Sequence, residues 1–159
     1  MASGYSIELV REAHAYAELC ALFREYQADI KIDLCFQDFE AELASVERIY
    51  ASPHGAAYLA RPLEGGAAAG CVALKASGPG IGEMKRLYVQ PAYQGAGLGR
   101  ALVLTILDRA RQLGYTRIRL DTLPSMAAAQ QLYRSLGFGK IAAYYATPHP
   151  GTLYLELGL

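Results

Sequence analysis

Apolar positions along this chain follow two rhythms, and the places where one gives way to the other mark out the elements. Ile7 and Leu9 lie two apart, so Tyr5–Val10 is predicted to be a first strand. Tyr16, Leu19, Cys20, Phe23 and Tyr26 follow at helical spacing and predict a helix over 12–28. Phe39, Leu43, Val46 and Tyr50 repeat that spacing over 38–50, with Asp38 as its expected N-cap. Ser52-Pro53-His54-Gly55 breaks the chain. Strands are then expected at Ala56–Arg61, Ala67–Ala76 and Ile81–Val89. The turns between them, at Glu64-Gly65-Gly66 and Ser77–Gly80, are short enough for an antiparallel meander.

Past mid-chain the helical rhythm returns over Leu98–Leu113 and stops at Gly114, a natural residue for a left-handed helix end. A strand at Thr116–Thr122 ends before Pro124. A short helix over Met126–Leu136 closes at Gly137. Strands at Phe138–Tyr145 and Thr152–Leu157 flank Pro148-His149-Pro150-Gly151. The order β-α-α-β-β-β-α-β-α-β-β predicts an α+β fold: a mixed, mostly antiparallel sheet of about seven strands flanked by about four helices. The two later helices cross between strands that must run parallel.

Composition narrows the class. The chain has 159 residues, 53% hydrophobic and 19% charged, which suits one compact domain over 1–159. The formal net charge is zero, so no global field points to nucleic acid or to a membrane. The N-terminus has no basic and apolar leader pattern, and no apolar run reaches membrane-spanning length, so a cytoplasmic protein is expected. Cys20, Cys35 and Cys71 are scattered and show no metal or disulfide spacing. His14, His54 and His149 are also scattered and read as surface residues. Charge is uneven, however: seven acids and two bases between Glu25 and Arg48, then seven bases and two acids between Arg100 and Lys140.

The chemistry concentrates in Glu83–Arg100, EMKRLYVQPAYQGAGLGR. Gly95, Gly97 and Gly99 leave the backbone nearly bare at a helix start. Unpaired N–H groups and the positive end of the helix dipole then suit a phosphate or pyrophosphate. Arg100 in the first helical turn opposes that dipole, a conflict that a bound anion would remove. The spacing is neither the GxGxxG of a dinucleotide site nor a P-loop with its lysine.

Three segments together carry a resemblance. Gln94-Gly95-Ala96-Gly97-Leu98-Gly99 matches the pattern Q/R-x-x-G-x-G/A that marks acetyl-CoA binding in the GNAT superfamily of N-acetyltransferases. Val89-Gln90-Pro91 resembles that family's strand-end V-x-P. Ala129–Phe138, AQQLYRSLGF, resembles its late-helix A-x-x-L-Y-x-x-L-G-F. The resemblance covers Glu83–Phe138 closely and the whole chain loosely, and the element order is the family's.

The resemblance implies roles for individual residues. Backbone groups of Leu87, Tyr88 and Val89 would pair with the pantetheine arm of acetyl-CoA. Those of Gln94, Gly95, Ala96, Gly97, Leu98, Gly99 and Arg100 would hold the pyrophosphate, with no metal required. Tyr133 would stand near the thioester sulfur, where a phenol of ordinary pKa near ~10 can donate to a thiolate near ~8.5. Read from periodicity alone, Tyr133 is a core residue on the helical stripe Ala129, Leu132, Tyr133 and Leu136, and only the resemblance favours the catalytic role. Glu83 would be the general base for an amine acceptor, although an ordered water could serve instead; its structural alternative is a salt bridge to Lys85 or Arg86. Members often carry an Asn at the start of the last helix, where this chain has Ser125 and Met126.

The expected reaction is acetyl transfer from acetyl-CoA to a primary amine by direct attack in a ternary complex. The acidic stretch suggests a cationic acceptor meeting acids such as Asp33 and Asp38. The Leu-rich last strand and Tyr144-Tyr145 could form a homodimer surface or belong to the core. Two rivals predict different ligands: a non-catalytic acyl-CoA sensor, and a nucleotide-dependent dehydrogenase that would bind NAD and not CoA.

Overall fold

The computed structural model describes residues 3–31 and 38–159. Its elements are β1 Tyr5–Leu9, α1 Ala13–Ile30, α2 Phe39–Ala44, α3 Val46–Tyr50, β2 Ala56–Pro62, β3 Gly70–Gly78 and β4 Ile81–Val89, then α4 Leu98–Gln112, β5 Arg117–Thr122, α5 Ala127–Ser135, β6 Gly139–Ile141 and β7 Leu153–Gly158. The strands form one seven-stranded sheet in the order β1-β2-β3-β4-β5-β7-β6. Only β4 and β5 pair in parallel, because α4 carries the chain back over the sheet between them. The α+β class and the antiparallel β2–β3–β4 meander are as the sequence predicts.

The sheet is covered on both faces. Leu98, Leu102 and Ile106 of α4 and Tyr133 of α5 pack with Val72, Leu74, Met84, Ile118 and Leu120. Leu19 and Phe23 of α1, Phe39 of α2 and Tyr50 of α3 pack on Leu59, Cys71, Ala73 and Tyr88 of the other face. Each fully buried aliphatic side chain contributes roughly 1.5–3 kcal/mol, which is why the periodic positions dictate the layering.

Two expectations are corrected. The helix expected over 38–50 is two short helices, broken at Ser45, whose φ/ψ of −120°/20° leaves the helical region. Asp38 does occupy the N-cap position of α2, but in left-handed backbone and without a side-chain cap bond. The strand expected over 138–145 pairs only at Gly139–Ile141. Beyond it the chain turns over the sheet so that Tyr144 and Tyr145 can reach β4 and β5. The loop is seated at its far end against the β5–α5 corner: Gly151 has φ +79°, and a Cβ there would lie 2.8 Å from Pro124 Cγ.

Candidate active site

β4 is irregular where chemistry is expected. Its ladder with β3 pairs Ala73 with Lys85 and Cys71 with Tyr88, so β4 spends one extra residue over the same span. The extra residue is Arg86, with φ +58°. The bulge turns two consecutive side chains, Lys85 and Arg86, toward α1 and α2. Arg86 is buried, and its Nε and Nη2 reach Glu42 at 3.1 and 2.6 Å; Tyr50 Oη donates to the same carboxylate at 2.8 Å. Burial alone would push the Glu42 carboxyl up, but the Arg86 and Tyr50 hydrogen bonds pull it below its ordinary value. Burial holds the Lys85 ammonium below its ordinary value.

β4 and β5 share only the rungs Ile81–Arg117, Gly82–Ile118 and Glu83–Arg119, then separate. The peptide groups of β4 from Met84 to Val89 that face β5 therefore have no ladder partner on it. Two adjacent spaces that share lining residues lie at the divergence. An open groove of about 810 Å³ runs past Leu87, Tyr88, Val89, Tyr93, Gln94, Gly95, Gly97, Leu98, Gly99 and Arg100 to the start of α5. A chamber of about 50 Å³ lies deeper, between Met84–Leu87 of β4 and Leu120–Thr122 of β5, walled by Tyr26, Tyr133, Thr147 and His149. Tyr26, Ile30, Leu87, Met126 and Ala129 line both.

The groove has the features a phosphate-bearing ligand requires. Gly95 and Gly97 have φ of +86° and +81°, and Gly97 is the N-cap of the fifteen-residue α4. A Cβ on either glycine would meet nothing within 4 Å, so conformation and not crowding calls for glycine. Arg100 is exposed and donates to Ser135 Oγ at 3.3 Å, which tethers a cation beside the helix start. Gln94 Nε2 donates to Val89 O at 2.9 Å and fixes the bend to the strand end. Ser125 and Met126 both line the groove at the position in question for the family's Asn.

The two expected catalytic side chains are placed differently. Tyr133 is buried in the chamber wall against Phe138, with ring centroids 5.6 Å apart, and burial holds its phenol well above the ordinary range. Glu83 is 5% exposed and sits behind the chamber, whose β4 wall begins at Met84. Tyr144 Oη donates to Glu83 Oε2 at 2.8 Å, and its ion pair is with Lys75 at 3.8 Å, not the expected Lys85 or Arg86. Tyr144 also stacks on Arg119, with its Cζ 4.2 Å from the ring centroid.

Sequence reasoning missed three features. Asp121 lines the chamber and accepts from Tyr145 Oη at 2.7 Å. His149, expected at the surface, is half-buried and lines the chamber as well. The bulge did leave a signal: Lys85-Arg86 puts adjacent cations in mid-strand, and regular pleating would turn one of them into the apolar α4 face. Three of the seven acids of the acidic stretch are engaged within the chain, Glu42 on Arg86, Glu40 on Arg24 and Glu25 on Gln90. Asp33 and Cys35 lie outside the described residues, while Asp38 is exposed. Of the residues read as either dimer surface or core, Leu155 is buried, and Tyr144 and Tyr145 bond to Glu83 and Asp121. No described helix is long and apolar enough to cross a membrane. Among the described residues no group of His, Cys, Asp or Glu could hold a metal ion.

Comparisons with known proteins agree on one family. The family model described as "Acetyltransferase (GNAT) family" matches residues 11–138. An uncharacterised N-acetyltransferase of Schizosaccharomyces pombe is 41% identical over 156 residues, covering 98% of this chain and 95% of that protein. Rat N-acetyltransferase family 8 member 2 is 34% identical over 113 residues, 68% of this chain, which spans only 49% of that relative. Among solved structures, a Streptococcus agalactiae acetyltransferase superposes with a TM-score of 0.79 at 25% identity, covering 99% of both chains. A Klebsiella pneumoniae protein named for acyl-CoA N-acyltransfer gives 0.74 at 28%, covering 98% and 97%.

Proposed function

The chain belongs to the acetyltransferase (GNAT) family of N-acetyltransferases, and from that premise we propose that it moves an acetyl group from acetyl-CoA to a primary amine by direct attack in a ternary complex. The observation that carries this reading is the divergence of β4 from β5 beyond Glu83. It sets a long groove with a bare helix start beside a small polar chamber. A groove of this length with left-handed glycines at one end suits a nucleotide with an extended arm, and bound acetyl-CoA would supply an activated acetyl thioester.

The backbone of Gln94–Arg100 holds the pyrophosphate, with the α4 dipole behind it and Arg100 beside it. Leu87, Tyr88 and Val89 present peptide groups to the pantetheine arm. Positioning of the two reactants is the main source of rate. Tyr133 keeps its proton throughout the working range, because burial raises its pKa, and donates a hydrogen bond to the sulfur as charge builds there. Glu83 acts from behind the chamber, where it holds Tyr144 and with it the segment between β6 and β7.

Thermal shift against CoA, acetyl-CoA, NAD and ATP, followed by free-thiol release with a panel of primary amines, tests this. Acetyl-CoA at a hundredfold excess over its Kd should stabilise the fold by about 2.7 kcal/mol. Stabilisation by NAD without CoA would favour a dehydrogenase. Stabilisation by acetyl-CoA with no thiol release would favour a sensor. Gly97→Val is expected to cost about 1–2 kcal/mol of stability, because a side chain must enter the left-handed region. It should also abolish the acetyl-CoA shift, which an intact groove in the variant would contradict.

A further inference from the structure

Resting on the acyl-transfer reading, we propose that Asp121 receives the ammonium group of the acceptor and takes one of its protons, and that Tyr145 is the positioning residue that aims it. Asp121 lies on β5 two residues past the last rung shared with β4, so it stands where the strands have parted. It lines the chamber, whereas the deeper Glu83 is capped by Tyr144 and ion-paired with Lys75. An amine entering beside Tyr133 therefore meets Asp121 before Glu83.

The carboxylate is held in one orientation. Tyr145 donates to Oδ2 at 2.7 Å, and the backbone oxygen of Tyr145 is itself held by Tyr154 Oη at 2.9 Å. A carboxylate has about four lone-pair sites, so one phenol leaves room for an ammonium. Two cations of β4 share the chamber with Asp121, whose charge favours the ammonium form of Lys85 against its burial. Glu42 binds Arg86, and burial disfavours the charged form of Lys85. The negative charge of Asp121 extends across the space, raising the pKa of Tyr26 on α1 and Tyr133 on α5 behind the larger effect of burial.

The step is a single proton transfer. One N–H bond of the ammonium breaks and an O–H bond forms on Asp121. The electron pair stays on nitrogen and makes it the nucleophile. An amine that is cationic in solution thus becomes reactive only after it is seated.

Asp121→Asn separates this role from a structural one, because the amide oxygen still accepts from Tyr145 while the charge is gone. The probes are spermidine, glucosamine and a lysine peptide. With whichever of them wild type acetylates, the variant is expected to lose about 10- to 100-fold in kcat/KM for the amine, the scale of one charged hydrogen bond. Its melting temperature and its acetyl-CoA thermal shift should match wild type. Turnover within twofold of wild type would overturn the proposal and leave the acyl-transfer reading standing. Wild type that binds acetyl-CoA and acetylates none of the three amines also overturns it. Wild type that shows no acetyl-CoA shift overturns the reading beneath it. Should Asp121→Asn fail to fold, Tyr145→Phe decides: it is expected to raise the amine KM about 3- to 10-fold with the acetyl-CoA shift intact, and an unchanged KM overturns the assignment.

Discussion

Glu42→Ala is expected to destabilise the fold by about 3–5 kcal/mol, read as a lower urea midpoint at unchanged slope. The magnitude follows from what remains behind. Arg86 is held on a left-handed bulge inside the protein, with Tyr26 and Phe39 rings 5.9 and 5.5 Å from its Cζ. Deleting Glu42 leaves that guanidinium buried beside Lys85 without its bidentate carboxylate. The pair also has a pH signature. The Glu42 carboxyl is held below its ordinary 4.5, so its contribution is fully present above that value and is lost as pH falls through the lower folded value. Wild type should lose stability on that acid limb, and Glu42→Gln should lose less over the same range. A wild-type-like midpoint for Glu42→Ala would mean that the bulge is held by other contacts.

Tyr133→Phe is expected to lower kcat about 10²-fold and leave the acetyl-CoA Kd unchanged. The phenyl ring keeps the Phe138 contact and removes only the hydroxyl, so folding should be preserved. Because burial raises the Tyr133 pKa, its loss of a proton cannot create an alkaline limb in the pH–rate profile within the neutral range. Stopped thiol release at saturating acetyl-CoA measures the effect. A variant with wild-type kcat would show that Tyr133 is a core tyrosine and nothing more, as its helical stripe alone suggests.

How far the sequence could be read depends on the range of each interaction. The parallel crossover was legible because two strand patterns flank one amphipathic helix. The groove was legible because glycines at a helix start carry a backbone requirement that does not depend on distant residues. The break at Ser45 was not, since the apolar stripe from Phe39 to Tyr50 continues in phase across it. Strand β6 ends early because Tyr144 and Tyr145 are drawn to carboxylates 61 and 24 residues away, a pull that local alternation does not encode. Asp121 looks like an ordinary solvent-facing position in Arg117–Thr122; only the separation of β5 from β4, set by partners elsewhere, gives it a chamber to face.

The three shared rungs of β4 and β5 have a mechanical consequence. The arm from Glu83 to Val89 spans six residues, about 20 Å at strand rise. With its pivot at Ile81–Glu83, a rotation of about 5° between the half-sheets would move the far end by about 1.7 Å and break no rung. Such a joint would work like tweezers: the tips would adjust to the width of what lies between them, while Glu83 and Arg119 at the pivot would hardly shift.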